Sequence, residues 1–344
     1  MEEKKPTRRK RYSGKYPKRF EEKYKEKQPD KYQDLIAHVI EKGNTPAGMH
    51  RPIMVSEILA FLDINFNQIG LDATLGFGGH SQAILEKLNH TGHLHGIDVD
   101  PIELPKTYQR LKDKGFTDSD FTLHNLNFRN FDEIPVNGYD FIIADLGVSS
   151  MQIDDPERGF TFKYDGPLDL RMNPNTGVSA SERINRLTKA EIEGMLVENA
   201  DEPYAKEIAL EIMKARTKGE LINTTKDLHS IIQRALVNLP KSSAEEAVKK
   251  SSQRTFQALR IDVNMEYEAL YEFLEKIPLL LNKNGKVAIL SFHSGEDRLV
   301  KKSFQNFFRQ GSFSQVSGPD LPSLEEIRTN PRSRSAKLRC AIKL

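Results

Sequence analysis

Residues 72–81 read Asp-Ala-Thr-Leu-Gly-Phe-Gly-Gly-His-Ser, and they are the most informative part of the sequence about its fold. It begins at the end of an apolar run typical of a buried strand, residues 69–73, and leads into a helical pattern over 81–88. Glycine permits a sharp turn and a close approach of the backbone to a ligand, and the helix start beyond attracts anions. The stretch therefore predicts a cofactor-binding loop or, in the simpler interpretation, a plain tight turn.

Further short apolar runs are typical of strands, and they lie at residues 94–97, 121–123, 139–144 and 287–292. Alternation of such runs with helical patterns indicates a parallel, doubly wound α/β sheet. The alternation stops after Ser150, where residues 151–180 predict an ordered loop. Three amphipathic helical patterns follow, the first behind the capping box Thr188-Lys189-Ala190-Glu191. The sequence thus predicts a sheet interrupted by an inserted helical domain.

We expect four segments along the chain. They are a basic, disordered extension over 1–45, the first part of the α/β core over 46–150, the helical insertion over 151–253, and the second part of the core over 254–344. The insertion is predicted to recognise the substrate.

Composition limits the class of protein. The chain has 344 residues, a 29% charged fraction and one cysteine, Cys340. This length can bury a substantial core, and the absence of a long uncharged apolar run excludes a transmembrane helix. The N-terminal region lacks the apolar segment of a secretory signal, so we expect none. A single cysteine excludes a disulfide framework and a multi-cysteine zinc site. We expect a cytoplasmic protein with no membrane partner and no metal site.

The net charge of +2 hides an uneven distribution. Residues 1–31 carry a net charge of +7, the remainder carries −5, and residues 327–344 hold six basic residues and no acidic one. Basic side chains neutralise phosphates, and the tyrosines of the first segment can stack on bases. The first segment is therefore either a nucleic-acid-binding arm or a solvated tail without a specific role.

Three polar residues follow predicted strands and should face one crevice, because ligands of open α/β sheets bind beyond the carboxyl ends of the strands. Asp98 can accept hydrogen bonds from ribose hydroxyls or can be a surface turn residue. Asp145 can lie beside a sulfonium, orient a nucleophile or cap a helix. His293 can accept a proton, donate a hydrogen bond to substrate or simply begin a helix.

The glycine loop favours S-adenosylmethionine over a dinucleotide as the cofactor. A pyrophosphate gains from a positive charge at the helix start, yet the helix has no basic residue before Lys87. The weaker anion of a methionine carboxylate suits this loop better.

The sequence resembles one family, the RsmH (MraW) ribosomal RNA methyltransferases, over residues 49–344. The resemblance rests on blocks in fixed order, at residues 50–55, 74–81, 97–101, 145–154, 158–162, 165–172, 254–261, 291–298 and 330–335. It implies a Rossmann-like class I S-adenosylmethionine methyltransferase sheet with an inserted helical domain. It further implies N4-methylation of one cytidine in the decoding region of bacterial 16S rRNA within the small ribosomal subunit, with no DNA partner.

The resemblance also implies the residues of the cofactor site, with Asp98 on the ribose and Phe128 packed against adenine. The implied set is Gly78, Gly79, His80, Asp98, Phe128, Asp145 and Gln152. We add the hypothesis that Asp145 is catalytic and that it and nearby backbone carbonyls accept the protons of the cytosine amino group. Two departures are visible, since Gly295 stands where the family usually has Leu and Ala73 where Gly is common.

Other interpretations stay open at this point. A DNA amino-methyltransferase would share the cofactor half, but the segment after Asp145 lacks the Pro-Pro-aromatic run of those enzymes. A ribosome-assembly factor that binds the cofactor without catalysis is a further alternative. Arg254 and Arg260 either frame a pocket for an unstacked base or pair with nearby acids. The basic extension lies outside the resemblance and is interpreted as peculiar to this chain.

Overall fold

The structure is a computed structural model that describes residues 52–344, so the predicted extension over 1–45 lies outside the described residues. The strands are β1 Ile69–Asp72, β2 His93–Ile97, β3 Phe121–His124, β4 Tyr139–Asp145, β5 Leu281–Ser291, β6 Phe313–Asp320 and β7 Lys337–Lys343. The helices are α1 Val55–Leu62, α2 Gly79–Leu88, α3 Leu104–Asp113, α4 Ser150–Asp154, α5 Ala180–Arg186, α6 Lys189–Ala200, α7 Ala205–Thr217, α8 Thr225–Ala235, α9 Lys241–Asn264, α10 Glu266–Leu280, α11 Ser294–Arg309 and α12 Leu324–Thr329.

The strands form one seven-stranded sheet in the order β3-β2-β1-β4-β5-β7-β6. Strands β1 to β5 are parallel, which confirms the predicted strands and the α/β class. The predicted parallel arrangement has one exception, because β7 runs antiparallel between β5 and β6. The edge strand β6 is mostly polar and exposed, so it has no apolar run by which the sequence could reveal it.

Helices cover both faces of the sheet, as the doubly wound pattern predicted. On one face α1 and α2 bury Ile58 and Ile84 in an apolar cluster with β4 and β5. On the other face α10 and α11 bury Phe273 and Phe304 in a second cluster. Burial on both faces explains the continuous apolar runs of the central strands, at residues 141–144 of β4 and 287–290 of β5.

The helices α5 to α8 lie between β4 and β5 in the chain and share a third apolar cluster, which includes Ile192, Ile208 and Leu228. The predicted capping box before α6 is present, with Thr188 as the N-cap. Helix α9 continues unbroken across the predicted boundary at 253, and its residues Phe256 and Leu259 pack into the same cluster. Among residues 52–344, no helix has both the length and the apolar character that crossing a bilayer requires.

Candidate cofactor and methyl-transfer site

The glycine loop joins the carboxyl end of β1 to α2. Gly78 is the N-cap of α2 with φ of 81°, and a Cβ there would lie 2.7 Å from Cγ2 of Thr107. Both features require glycine. The first intrahelical hydrogen bond joins the Gln82 amide to the Gly78 carbonyl at 2.8 Å. The amides of Gly79 and His80 precede this bond in the chain and therefore have no acceptor within the helix. These amides and the helix dipole fit a carboxylate.

Asp98 lies at the end of β2 beside this loop and is largely buried. Its Oδ2 accepts from the Gly76 amide at 2.7 Å and its Oδ1 from the Asp100 amide at 2.8 Å. Burial raises the pKa of Asp98 to about 7, although these two amides favour the charged form. Each carboxylate oxygen retains a further lone pair, which fits the hydroxyls of a ribose. Asp98 thus braces the turn that follows β2, and its contact with a ribose stays a prediction.

Asp145 ends β4, the neighbour of β1, and faces the same crevice. Its amide donates to Oγ1 of Thr74 at 2.5 Å, and its Oδ2 lies 3.7 Å from Nδ1 of His80. Its Oδ1 is buried without a hydrogen-bond partner among the described residues. Burial raises the pKa of Asp145 to about 6, with His80 opposing the shift and Asp72 and Glu296 adding to it. Asp145 does not cap a helix, because the N-cap of α4 is Ser149.

Asp72 and Thr74 hold the loop and Asp145 together, and sequence reasoning gave neither a role. The buried Asp72 accepts from Oγ of Ser81 at 2.6 Å and from the Thr74 amide at 3.1 Å. Thr74 then accepts from the Asp145 amide. Asp and Thr in a strand-to-helix turn often bond to nearby backbone amides, and this pattern could have indicated the role of Asp72 and Thr74.

Gln152 reaches the same edge of the sheet from α4. A capping box with Ser149 fixes it, because Oε1 of Gln152 accepts from the Ser149 amide at 2.8 Å. Its Nε2 donates to Oδ2 of Asp100 at 2.7 Å. The orientation of the amide is therefore determined, with one donor hydrogen and one lone pair left for a ligand.

Phe128 begins a 3₁₀ turn, Phe128–Glu133, just beyond β3. Its ring packs edge-on against Phe273 with centroids 5.2 Å apart. The preceding segment is tied to the cofactor edge, because the Asn125 side chain donates to the Asp98 carbonyl at 2.9 Å. A half-buried aromatic ring at this place fits a flat, apolar partner.

His293 lies at the carboxyl end of β5, where it is the N-cap of α11. Its Nε2 lies 3.0 Å from Oε1 of Glu296, and Glu266 is close enough for the three side chains to surround a cation. However, Arg260 engages Glu266 through two bonds of 2.7 and 2.8 Å. Although burial opposes it, contacts with His293 and Arg260 lower the pKa of Glu296. The cluster is thus an ion-paired network, and His293 is a helix-start residue within it.

Gly295, one of the two departures from the family pattern, makes room for a tyrosine. A Cβ on Gly295 would collide with Oη of Tyr267. The hydroxyl of Tyr267 donates to the Asn199 carbonyl of α6 at 3.2 Å, and its ring lies against His293. The tyrosine therefore connects the helical insertion to the start of α11.

The two arginines of the 254–261 block behave differently. Arg260 pairs with Glu266, so for this residue the ion-pairing alternative is confirmed. Arg254 has no ion-pair or hydrogen-bond partner among residues 52–344. In the C-terminal basic block, Arg332 donates to Oδ2 of Asp154 at 2.7 Å and so ties this block to α4.

A sheet of this order, with a glycine loop after β1 and acids ending β2 and β4, defines a Rossmann-like class I methyltransferase, the class that takes its methyl group from S-adenosylmethionine. The chain belongs to the MraW methylase family, whose sequence model matches residues 47–344. This match confirms the predicted family, and with it the predicted cofactor.

Individual relatives cover the chain closely. It is 66% identical over 343 residues to ribosomal RNA small subunit methyltransferase H 2 of Acholeplasma laidlawii, with 100% of both proteins covered. It is 56% identical over 339 residues to ribosomal RNA small subunit methyltransferase H 1 of Lachnoclostridium phytofermentans, covering 98% of this chain and 93% of that protein. It is 40% identical over 320 residues to ribosomal RNA small subunit methyltransferase H of Heliobacterium mobile, covering 86% of this chain and 99% of that protein.

The basic extension is not peculiar to this chain, contrary to the expectation from its sequence. The alignment with the Acholeplasma protein spans the whole chain, whereas that with the Heliobacterium protein spans 86% of it. The extension lies outside the family match, which begins at residue 47, yet relatives of high identity share it. Composition alone could not reveal this, because it carries no information on other sequences.

Proposed function

We propose that the chain transfers a methyl group from S-adenosylmethionine to N4 of one cytidine in the decoding region of 16S rRNA within the small ribosomal subunit. The relatives' names support an RNA substrate from the small subunit. The resemblance found in the sequence supports the N4 atom and the decoding region. The structural observation that carries the proposal is the buried, partnerless Oδ1 of Asp145 beside the glycine loop.

The residues of the crevice fit the chemical parts of this cofactor. The amides of Gly79 and His80 at the start of α2 would hold its carboxylate, and Asp98 would accept from its ribose hydroxyls. Phe128 would pack against its adenine, and Gln152 would offer its remaining donor. When bound, the cofactor supplies an electrophilic methyl group on a positively charged sulfur.

Asp145 has the properties of a proton acceptor for an exocyclic amine. The N4 lone pair of cytosine is delocalised into the ring, so the amine must be aligned and must lose a proton as the nitrogen becomes tetrahedral. Oδ1 of Asp145 would accept from N4–H and so direct the nitrogen. A pKa of about 6 leaves Asp145 mostly charged at neutral pH, yet more basic than an exposed carboxylate.

The RNA would approach from the side of the helical insertion. A base in a structured RNA must be unstacked to reach a crevice of this kind. Arg254 is available for phosphate because it has no partner among the described residues, and the C-terminal basic block borders α4. The extension over 1–45, outside the described residues, would add a salt-dependent RNA-binding arm.

One transfer assay distinguishes this function from its alternatives. Purified protein is incubated with methyl-labelled S-adenosylmethionine and with small subunits, protein-free 16S rRNA or DNA. We expect label in the small subunits and none in DNA. Label in DNA would support a DNA amino-methyltransferase, and cofactor binding without transfer to any nucleic acid would support a non-catalytic assembly factor.

A further inference from the structure

Asp100 is fully buried and has three hydrogen-bond donors from three different segments. Its Oδ2 accepts from the Arg158 guanidinium at 2.8 Å and from the Gln152 amide group at 2.7 Å, and its Oδ1 accepts from the Ile102 amide at 2.9 Å. Arg158 is itself about nine-tenths buried. A buried ion pair is stable only when its remaining donors and acceptors find partners, and Arg158 also donates to two backbone carbonyls.

On the cofactor side, Asp100 controls two residues of the implied cofactor set. Its amide donates to Oδ1 of Asp98, which orients the carboxylate beside the glycine loop. Its carboxylate holds Nε2 of Gln152, and because Oε1 of Gln152 faces the Ser149 amide, the side chain cannot rotate by half a turn without losing both bonds.

On the other side, Arg158 holds the loop over residues 159–172. Its second terminal nitrogen donates to the carbonyl of Met172 at 2.8 Å and to that of Arg171 at 3.2 Å, while its own carbonyl accepts from the Leu170 amide at 3.2 Å. The two ends of the loop are thus joined through one guanidinium.

We propose that Asp100 and Arg158 form a positioning pair that couples occupancy of the cofactor site to ordering of the 159–172 loop. The loop follows the 3₁₀ turn Pro156–Arg158, whose last residue holds both of its ends, and we expect its arrangement to shape the substrate side of the crevice. That part rests on the proposed function. Coupling of this kind is reciprocal: a ligand that fixes Asp98 and Gln152 also fixes the loop, and a fixed loop favours the ligand.

Two substitutions of Arg158 distinguish its positive charge beside Asp100 from its hydrogen bonds to the two ends of the loop. Arg158→Met leaves the Asp100 carboxylate buried without a cation, and we expect it to release both Asp98 and Gln152. Arg158→Lys restores a charge for Asp100 but cannot also span the two carbonyls, because an ammonium lacks the forked geometry of a guanidinium. Arg183→Met is the matched control, since it removes the Arg–Asp pair that joins α5 to Asp262 of α9.

The test uses S-adenosylhomocysteine as the ligand, with calorimetry for affinity and hydrogen exchange for the loop. In the unaltered protein, we expect the ligand to slow amide exchange within residues 159–172. Arg158→Met should weaken binding about tenfold and abolish this slowing. Arg158→Lys should bind within about threefold of the unaltered protein while the slowing remains lost, a split that a purely structural role would not produce. Arg183→Met should change neither quantity.

Two results would overturn the proposal. One is exchange within 159–172 that does not respond to the ligand in the unaltered protein, a measurement that stands even if a variant does not fold. The other is a folded Arg158→Met protein with unchanged affinity. Neither measurement involves RNA or methyl transfer. The coupling can therefore be confirmed or excluded whether or not 16S rRNA is the substrate, and its exclusion would not bear on the proposed substrate.

Discussion

The Nδ1 atom of His80 lies 3.7 Å from Oδ2 of Asp145, while Nε2 of the same ring lies 2.9 Å from the carbonyl oxygen of Ile53. A carbonyl oxygen only accepts, so the Ile53 contact places the ring proton on Nε2. A neutral ring then directs a bare lone pair at the Asp145 carboxylate. The other carboxylate oxygen, Oδ1, is buried and has no hydrogen-bond partner among the described residues.

Asp145→Asn should reduce methyl transfer by about 100-fold or more, the usual contribution of a positioned proton acceptor. The amide has the same shape and can donate to Nδ1 of His80, so binding of S-adenosylhomocysteine should change by less than tenfold. Labelled transfer to small subunits and calorimetry measure the two quantities. Asp113→Asn, an exposed substitution on α3, should alter neither. Full turnover by Asp145→Asn would exclude a catalytic role for the carboxylate.

The same substitution should stabilise the cofactor-free protein, and more so as the pH rises. The pKa of Asp145 is raised from 3.8 to about 6, so the folded state holds the proton more tightly than the unfolded chain. Stability from this group is therefore present at low pH and is lost as the pH rises through about 6. The shift corresponds to roughly 3 kcal/mol at most.

Melting temperatures of the two proteins between pH 4 and pH 8 measure this effect. The advantage of Asp145→Asn should grow up to about pH 6 and then level off, at about 2 °C for each kcal/mol. An advantage that shrinks as the pH rises would show that burial does not raise the pKa of Asp145.

Cofactor affinity should depend on pH through Asp98. Its pKa of about 7 means that part of the cofactor-free protein carries a protonated Asp98 at neutral pH. Ribose hydroxyls donate to the carboxylate, so binding requires loss of that proton. S-adenosylhomocysteine should bind about tenfold more weakly at pH 6 than at pH 8. Calorimetry on Asp98→Asn should give weaker binding with a flat profile. A steep profile that survives this substitution would assign the pH dependence to another group.

Gly295→Leu should displace Tyr267 and loosen the contact between the helical insertion and α11. Any Cβ at this position collides with the tyrosine hydroxyl, so we expect a fall in melting temperature of several degrees, about 2 °C for each kcal/mol lost. The double substitution Gly295→Leu with Tyr267→Ala should recover most of the loss, because the leucine then occupies the vacated volume. Equal destabilisation by the single and double variants would show that the two residues are not coupled.

The sheet and the loop around Gly78 could be predicted because local rules act on them. Buried parallel strands must be apolar, and a positive φ at the start of α2 requires glycine. Strand β6 could not be predicted, because it lies at the edge of the sheet and its mostly polar residues show no apolar run. Its antiparallel neighbour β7 has a short apolar run at residues 340–342, but Lys337, Arg339 and Lys343 flank it. The strand therefore lies within a basic segment that indicated nucleic acid more strongly than a strand.

The positions of Asp98 and Asp145 in the candidate site could be predicted from the sequence, whereas the hydrogen bonds that connect its residues could not. Asp98 and Asp145 were identifiable because they end strands, and strand ends define a crevice. The roles of Asp100 and Arg158 were not identifiable, because their bond joins residues 58 positions apart. The pairing of Gly295 with Tyr267 was hidden for a similar reason, since the sequence shows a missing side chain but not what fills its space.

The identity of the methylated atom decides whether the protein is a cytosine-N4 methyltransferase. Small subunits lacking the modification are treated with the protein and S-adenosylmethionine, and their 16S rRNA is digested to nucleosides for mass spectrometry against standards. We predict N4-methylcytidine, formed by the unaltered protein and at about one hundredth of that rate or less by Asp145→Asn. Methylation of the cytosine ring, of a ribose hydroxyl or of another base, or no transfer to 16S rRNA at all, would contradict this account.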